Sequence, residues 1–108
     1  MFSSPFPDVE IPDVSLYDYL FGGLAEADLD RIAVVDGTSG AETSYRTLVG
    51  QIDAVAGAVA ARGLGVHGVA AILCPNVPAF AVVFHGLLRA GATVTTVNSL
   101  YTEDEIAL

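Results

Sequence analysis

The residues of this chain that could do chemistry are few, and their spacing limits what they could do. "DGTSGAE" at 36–42 sets Gly37 and Gly40 around Thr38 and Ser39, the composition of a loop that cradles phosphate. A phosphate cradle needs backbone N–H groups aimed from a helix N-terminus, and usually a lysine. Here the loop joins two strand-like runs and the chain has no lysine, so the stretch reads as a hairpin turn, with Asp36 as a turn former. Cys74 stands at a strand end just before a helix, where a thiolate would be stabilised. Its base would have to be His67, at the opposite end of the strand, or His85. His85 lies nine residues after Asn76 in an apolar helix, some 13 Å of helix rise. Neither histidine is well placed, and Cys74 reads as a structural cysteine. The histidines and carboxylates have no metal-ligand spacing, neither His-x-x-x-His nor paired cysteines. Glu103, Asp104 and Glu105 read as helix capping rather than acid/base catalysis. No catalytic, cofactor-binding or metal-binding residue is therefore assigned from these residues.

The elements that would position such groups are better defined. Pro5, Pro7 and Pro12 make residues 1–14 extended, and the seven acids among the first thirty residues suggest a solvated, poorly packed leader. "SLYDYLFGG" predicts a short helix capped by Ser15, with Leu16, Tyr19 and Leu20 on one side and Gly22 as its stop. "RIAVVD" predicts a strand over 32–35, and "TSY" a short return strand. From Tyr45 to Arg62, Leu48, Ile52, Val55 and Val59 recur at spacings of three and four, with Ala56 and Ala60 beside them and Gly63 as a stop. That is an amphipathic helix. "VAAIL" at 69–73 is an uninterrupted apolar strand, as in parallel sheets covered on both faces. Asn76 is the expected cap of the next helix, with Pro78 in its first turn. That helix is apolar nearly all round and stops at Gly91, before the strand "TVTTV" at 93–97. The fold class is α/β, with helices on both faces of a layered sheet and a right-handed βαβ unit at 69–97.

Composition narrows the class of function. At 108 residues and 53 % hydrophobic, the chain has room for one modest core. Thirteen acids against four arginines give a net charge of −9, which argues against nucleic acid or an anionic membrane as a partner. A single cysteine fits a reducing, cytoplasmic compartment. There is no signal-peptide pattern and no apolar run of the roughly 20 residues needed to span a membrane.

The end of the chain carries a further expectation. Thr102 and Glu105 form a capping-box pair with three acids in the first turn, yet fewer than two turns of helix follow, and such a helix is marginal alone. Two parallel strands and one hairpin are also few for an open sheet. The expectation is an incomplete domain: residues 1–30 as a leader and 31–108 as part of an α/β subdomain cut in a following helix. The rest of the parent chain would be its partner, and the isolated piece would tend to self-associate.

The order of the pieces resembles the amino-terminal part of the adenylate-forming enzymes, most of all the 4-coumarate–CoA ligase branch. The residues that carry the resemblance are Ser44-Tyr45, Leu64-Gly65-Val66, Leu73-Cys74-Pro75-Asn76 with Phe80, Gly91-Ala92, and Asn98-Ser99-Leu100-Tyr101-Thr102 with Glu105. It covers about residues 30–108. Val69 after Gly68, Ser99 after Asn98, and Cys74 depart from the usual family pattern of Gly-Asp, Asn-Pro and an aliphatic residue. The resemblance implies a ligase that joins a carboxylic acid to CoA through an acyl-adenylate, with Mg and ATP. It further implies that the phosphate loop and catalytic lysine lie beyond Leu108, so that these residues alone are inactive. Two rival readings are a free-standing α/β binding or interaction module and a small nucleotide binder, though no Gly-x-Gly-x-x-Gly follows a strand.

Overall fold

A computed structural model describes residues 4–107. Its elements form where local residue chemistry asks for them. Ser15 Oγ accepts from the Asp18 N–H at 3.1 Å and caps helix α1, Leu16–Phe21. After a short 3-10 turn at Glu26–Asp28, strand β1 (Ile32–Val35) pairs antiparallel with β2 (Glu42–Ser44). Ser44 then caps helix α2, Tyr45–Ala60, by accepting from the Thr47 N–H at 3.2 Å. Strand β3 (Val69–Leu73), helix α3 (Pro78–Arg89) and strand β4 (Thr93–Val97) follow. β3 and β4 are parallel, in register from Val69 opposite Thr93 to Leu73 opposite Val97. The expected βαβ unit is present, and the class is α/β. The chain closes on α4, Glu103–Ile106. There Glu105 Oε2 accepts from the Thr102 N–H at 2.9 Å and the Thr102 hydroxyl at 3.0 Å, and these donors hold the Glu105 carboxyl below its ordinary range.

The strands form two separate two-stranded sheets, the hairpin and the parallel pair. α2 and α3 make the most extensive contact in the structure. α3 lies between two apolar clusters. One is built on Tyr17, Leu48 and Ile52, with Phe21, Val34 and Val82 against it. The other is built on Ile72, Leu87 and Ala92, with Val59, Phe80, Phe84 and Val94 around it. Ile52 is fully buried. As expected, Leu48 and Ile52 face inward, while Val55 and Val59 are half-buried and Ala56 completes the buried stripe.

Four local expectations are corrected. α1 buries Tyr17, with Phe21 half-buried, while Leu16, Tyr19 and Leu20 are exposed. Positions 17 and 21 stack on one face, and the Tyr17 hydroxyl finds a partner on α2, which selects that face. Residues 16–21 are therefore packed, so the poorly packed stretch is shorter than thirty residues; residues 4–14 form no helix or strand and are exposed. The cap of α3 is Val77, not Asn76. Proline at 78 drives the preceding residue into extended backbone, here φ −126° and ψ 160°, which places the helix boundary at Val77. Finally, β3 is covered unevenly. Ala70 and Ile72 turn toward the helices, whereas Val69 and Leu73 are 66 % and 59 % exposed. Strand side chains alternate between faces, and the helices described here pack on one of them.

Two outcomes follow from this packing. A Cβ at Gly86 would lie 2.6 Å from Val55 Cγ1 and 3.2 Å from the Ile52 carbonyl oxygen, whereas one at Gly57 would meet nothing within 4 Å. Gly86→Ala should lower stability by about 1–3 kcal/mol by forcing α2 and α3 apart. Gly57→Ala should raise it by about 0.5–1 kcal/mol through helix propensity. Denaturant titrations of the two variants check this, and equal effects would contradict the close approach. The second outcome concerns His85. Its ring stands edge-on between Phe21 (centroids 5.3 Å apart) and Phe84 (5.4 Å), with Nδ1 buried and unpartnered. Burial pushes its pKa below the ordinary histidine value. The unfolded chain then binds the proton more readily, so stability should be full above about pH 6.5 and fall as pH drops below it. Asp30, Asp36 and Glu105, whose pKa values are lowered, titrate only in the more acidic carboxylate range. Unfolding free energy should therefore drop between pH 7.5 and 5.5, and His85→Leu should flatten that drop.

Candidate functional site

Ligands of open α/β sheets sit outside the carboxyl ends of the strands. At that edge of β3 and β4 lies an open cleft of about 580 Å³, lined by Cys74, Asn76, Phe80, Thr96, Asn98 and Tyr101 among others. Local folding uses up part of its polarity. Asn98 Oδ1 accepts from the Leu100 N–H at 3.0 Å, and the Asn98 carbonyl accepts from the Tyr101 N–H at 3.0 Å. Among the described residues, no charged side chain lines the cleft. Such a surface can hold neutral polar and apolar groups; its titratable side chains are the Cys74 thiol and the Tyr101 phenol, with no carboxylate or histidine beside them and no cation for phosphate.

The residues singled out by sequence do not converge there. In the hairpin loop, Asp36 Oδ1 accepts from the Thr38 N–H at 2.9 Å and Oδ2 from the Ser39 hydroxyl at 2.7 Å. These donors hold the Asp36 carboxyl below its ordinary range. The Gly40 N–H donates to the Asp36 carbonyl at 2.8 Å, with Gly40 at φ 73°, where glycine is at ease. The loop's donors thus close on Asp36 itself, leaving an acidic turn where an anion cradle would need free N–H groups. Cys74 is half-buried beside the cluster of Ile72 and Leu87. His67 is exposed ahead of β3, and His85 sits in its aromatic pocket near α1. Among the described residues no group of three His, Cys, Asp or Glu comes together as a metal site. Glu103 and Asp104 lie in the first turn of α4.

The four arginines are all engaged within the chain. Arg31 pairs with Asp28 at 3.0 Å, and Arg46 with Asp30 at 2.9 Å and Glu26 at 2.7 Å. Arg62 donates to the Ala58 carbonyl at 2.8 Å. Arg89 Nε reaches Asp53 Oδ1 at 2.7 Å, while its guanidinium lies 3.9 Å over the Tyr17 ring. The Tyr17 hydroxyl donates to the same Asp53 oxygen at 3.1 Å, and burial raises the phenol's pKa. Sequence reading missed this three-way clamp of α1, α2 and α3. Its only sequence signal is a tyrosine on α1 and a charged residue on each of α2 and α3, close to an apolar face, which many solvated helices share. The clamp positions α1 and has no room for a substrate between its members. No helix is long and apolar enough to cross a membrane among the described residues.

Comparison with known proteins agrees with this geometry. The family model described as AMP-binding enzyme matches residues 24–108. The chain is 42 % identical over 112 residues to 4-coumarate–CoA ligase 5 of Oryza sativa subsp. japonica, covering 99 % of this chain and 20 % of that protein. It is 32 % identical to 4-coumarate–CoA ligase 4 of Arabidopsis thaliana, with the same coverage. In three dimensions it resembles apo MatB from Rhodopseudomonas palustris, with TM-score 0.76 and 29 % identity over 85 % of this chain and 18 % of that one. It also resembles the Klebsiella oxytoca NpsA N-terminal subdomain in complex with anthranilyl-AMSN, with TM-score 0.77 and 25 % identity over 86 % and 23 %. The chain spans about a fifth of the length of the curated relatives it matches. By the extent of the family match and the agreement of fold, the chain belongs to the AMP-binding, adenylate-forming enzyme family.

Proposed function

We propose that these 108 residues are the amino-terminal scaffold of a longer, cytoplasmic acid–CoA ligase of the 4-coumarate–CoA ligase type. The observation that carries this reading is the 42 % identity to the rice ligase across 99 % of the chain. In the reaction a carboxylate oxygen attacks the α-phosphorus of Mg-bound ATP, giving an acyl-adenylate and pyrophosphate. The CoA thiol then loses its proton and attacks the acyl carbon, and AMP departs. Residues 31–108 contribute an α/β subdomain to the catalytic domain, preceded by the segment 1–30. Their part is to fold and support. Every arginine is engaged internally and the chain carries no lysine, so the groups that meet phosphate belong to the remainder of the polypeptide. Exposed Val69 and Leu73, and the unpaired edges of two-stranded sheets, lead the 108 residues to self-associate when isolated.

The reading is tested by expressing the 108 residues beside the longer product of the gene. Pyrophosphate release and thioester formation are then measured with Mg-ATP, CoA and a panel of aryl and fatty acids. The longer product should turn over at least one acid. The 108 residues should release no pyrophosphate, give a flat calorimetric titration with Mg-ATP, and show mass rising with concentration in sedimentation. A stoichiometric, micromolar ATP isotherm from the 108 residues would overturn the scaffold reading. A monomer at all concentrations would overturn self-association.

A further inference from the structure

A groove runs between the hairpin and the helices. Val34 of β1, Val55 of α2, and Pro78, Ala79, Val82 and Val83 of α3 form its apolar lining, around about 450 Å³ open to solvent. Among the described residues, the polar side chains of this groove are Thr43 and Gln51, and none is charged. A second hollow of about 280 Å³ shares Val34 and Pro78 with it. That hollow continues the groove between the hairpin turn at Asp36 and Gly37 and the β3–α3 loop at Asn76 and Val77. The result is an elongated, largely apolar trough, with Asp36 and Asn76 at one end.

Shape and chemistry separate the possible occupants. Small-molecule sites are concave and fix their ligand with a few convergent polar groups. This trough is long and open; Thr43, Gln51 and Asn76 are neutral, and the Asp36 carboxylate at its end is already engaged by the Thr38 N–H and the Ser39 hydroxyl. An elongated, mostly apolar lining suits an extended or helical polypeptide segment that presents apolar side chains. The source of that segment follows from length, since this chain spans only 20 % of the rice ligase it matches. We propose that the trough is the seat of an apolar segment of the same polypeptide outside these 108 residues, an inference that rests on the ligase reading above.

Ala79 offers a test, because it lines the trough yet is exposed in the second helical position of α3. A glutamate there is favourable near a helix N-terminus when solvated, and costly when covered by apolar groups. Ala79→Glu should therefore leave the melting temperature of the 108 residues unchanged or slightly raised. In the longer product it should lower that temperature by at least about 5 °C. Ala58→Glu, on an exposed position of α2 outside the trough, should be tolerated in both. Should Ala79→Glu prevent the longer product from folding, Ala79→Cys gives the second readout. Its added thiol should react with a maleimide at least tenfold more slowly in the longer product than in the 108 residues, with the unsubstituted proteins as background for Cys74. Equal tolerance of the two glutamates, with equal thiol reactivity, would overturn the inference. So would protection that appears in the 108 residues only as their concentration rises, since a second copy would then be the occupant. Pyrophosphate release by the longer product reports the ligase reading separately, so the two can fail independently.

Discussion

The close approach of α2 and α3 at Gly86 is the constraint on which the other contacts rest. With no side chain at that position, Val55 and the Ile52 carbonyl sit against the backbone of α3. That contact lets Ile52 be fully enclosed, and it lets α3 bridge the two apolar clusters. Close-packed interiors transmit strain because few voids are available to absorb it. A wider spacing would uncover both clusters at once, since α3 contributes Val82 to one and Leu87 to the other.

α1 depends on that spacing too. Tyr17 reaches Asp53 on α2 while lying under Arg89 on α3, so the clamp can close only when α2 and α3 are at their observed separation. Exposed ion pairs contribute little on their own. Here the Arg89–Asp53 pair is partly shielded and shares its carboxylate with the Tyr17 hydroxyl, and the cation sits on an aromatic face, which adds to the attraction. The clamp brings into the core a segment that the family match, beginning at residue 24, leaves outside.

The same use of charge leaves no arginine side chain free of an internal partner. Arg31 and Arg46 bind acids of the 26–30 turn, Arg62 binds a helix-end carbonyl, and Arg89 closes the clamp. The donors of the glycine-containing hairpin loop close on Asp36. The polar groups of these residues are spent on folding, and apolar surface is left over at the trough and on the outer face of β3. A surface of that kind suits packing against more protein.

What the sequence determined by itself was everything governed by neighbours a few residues apart. The β-branched runs at 32–35 and 93–97, the period of α2, the Ser15 cap and the hairpin turn at Asp36 are local, and each was readable from residue type and spacing. The family resemblance rested on the same punctuation: Leu73-Cys74-Pro75-Asn76, Gly91-Ala92 and Tyr101-Thr102. Tertiary structure decided the rest. The buried face of α1 depends on Asp53, thirty-six residues beyond Tyr17, and no local period encodes that partner. The two sides of β3 are equally apolar in sequence, so only the placement of the helices distinguishes Ile72 from Leu73. The need for glycine at 86 is invisible along an apolar helix until another helix lies against it. The trough is likewise a property of elements brought together from three parts of the chain, because a concave surface exists only once its walls have met.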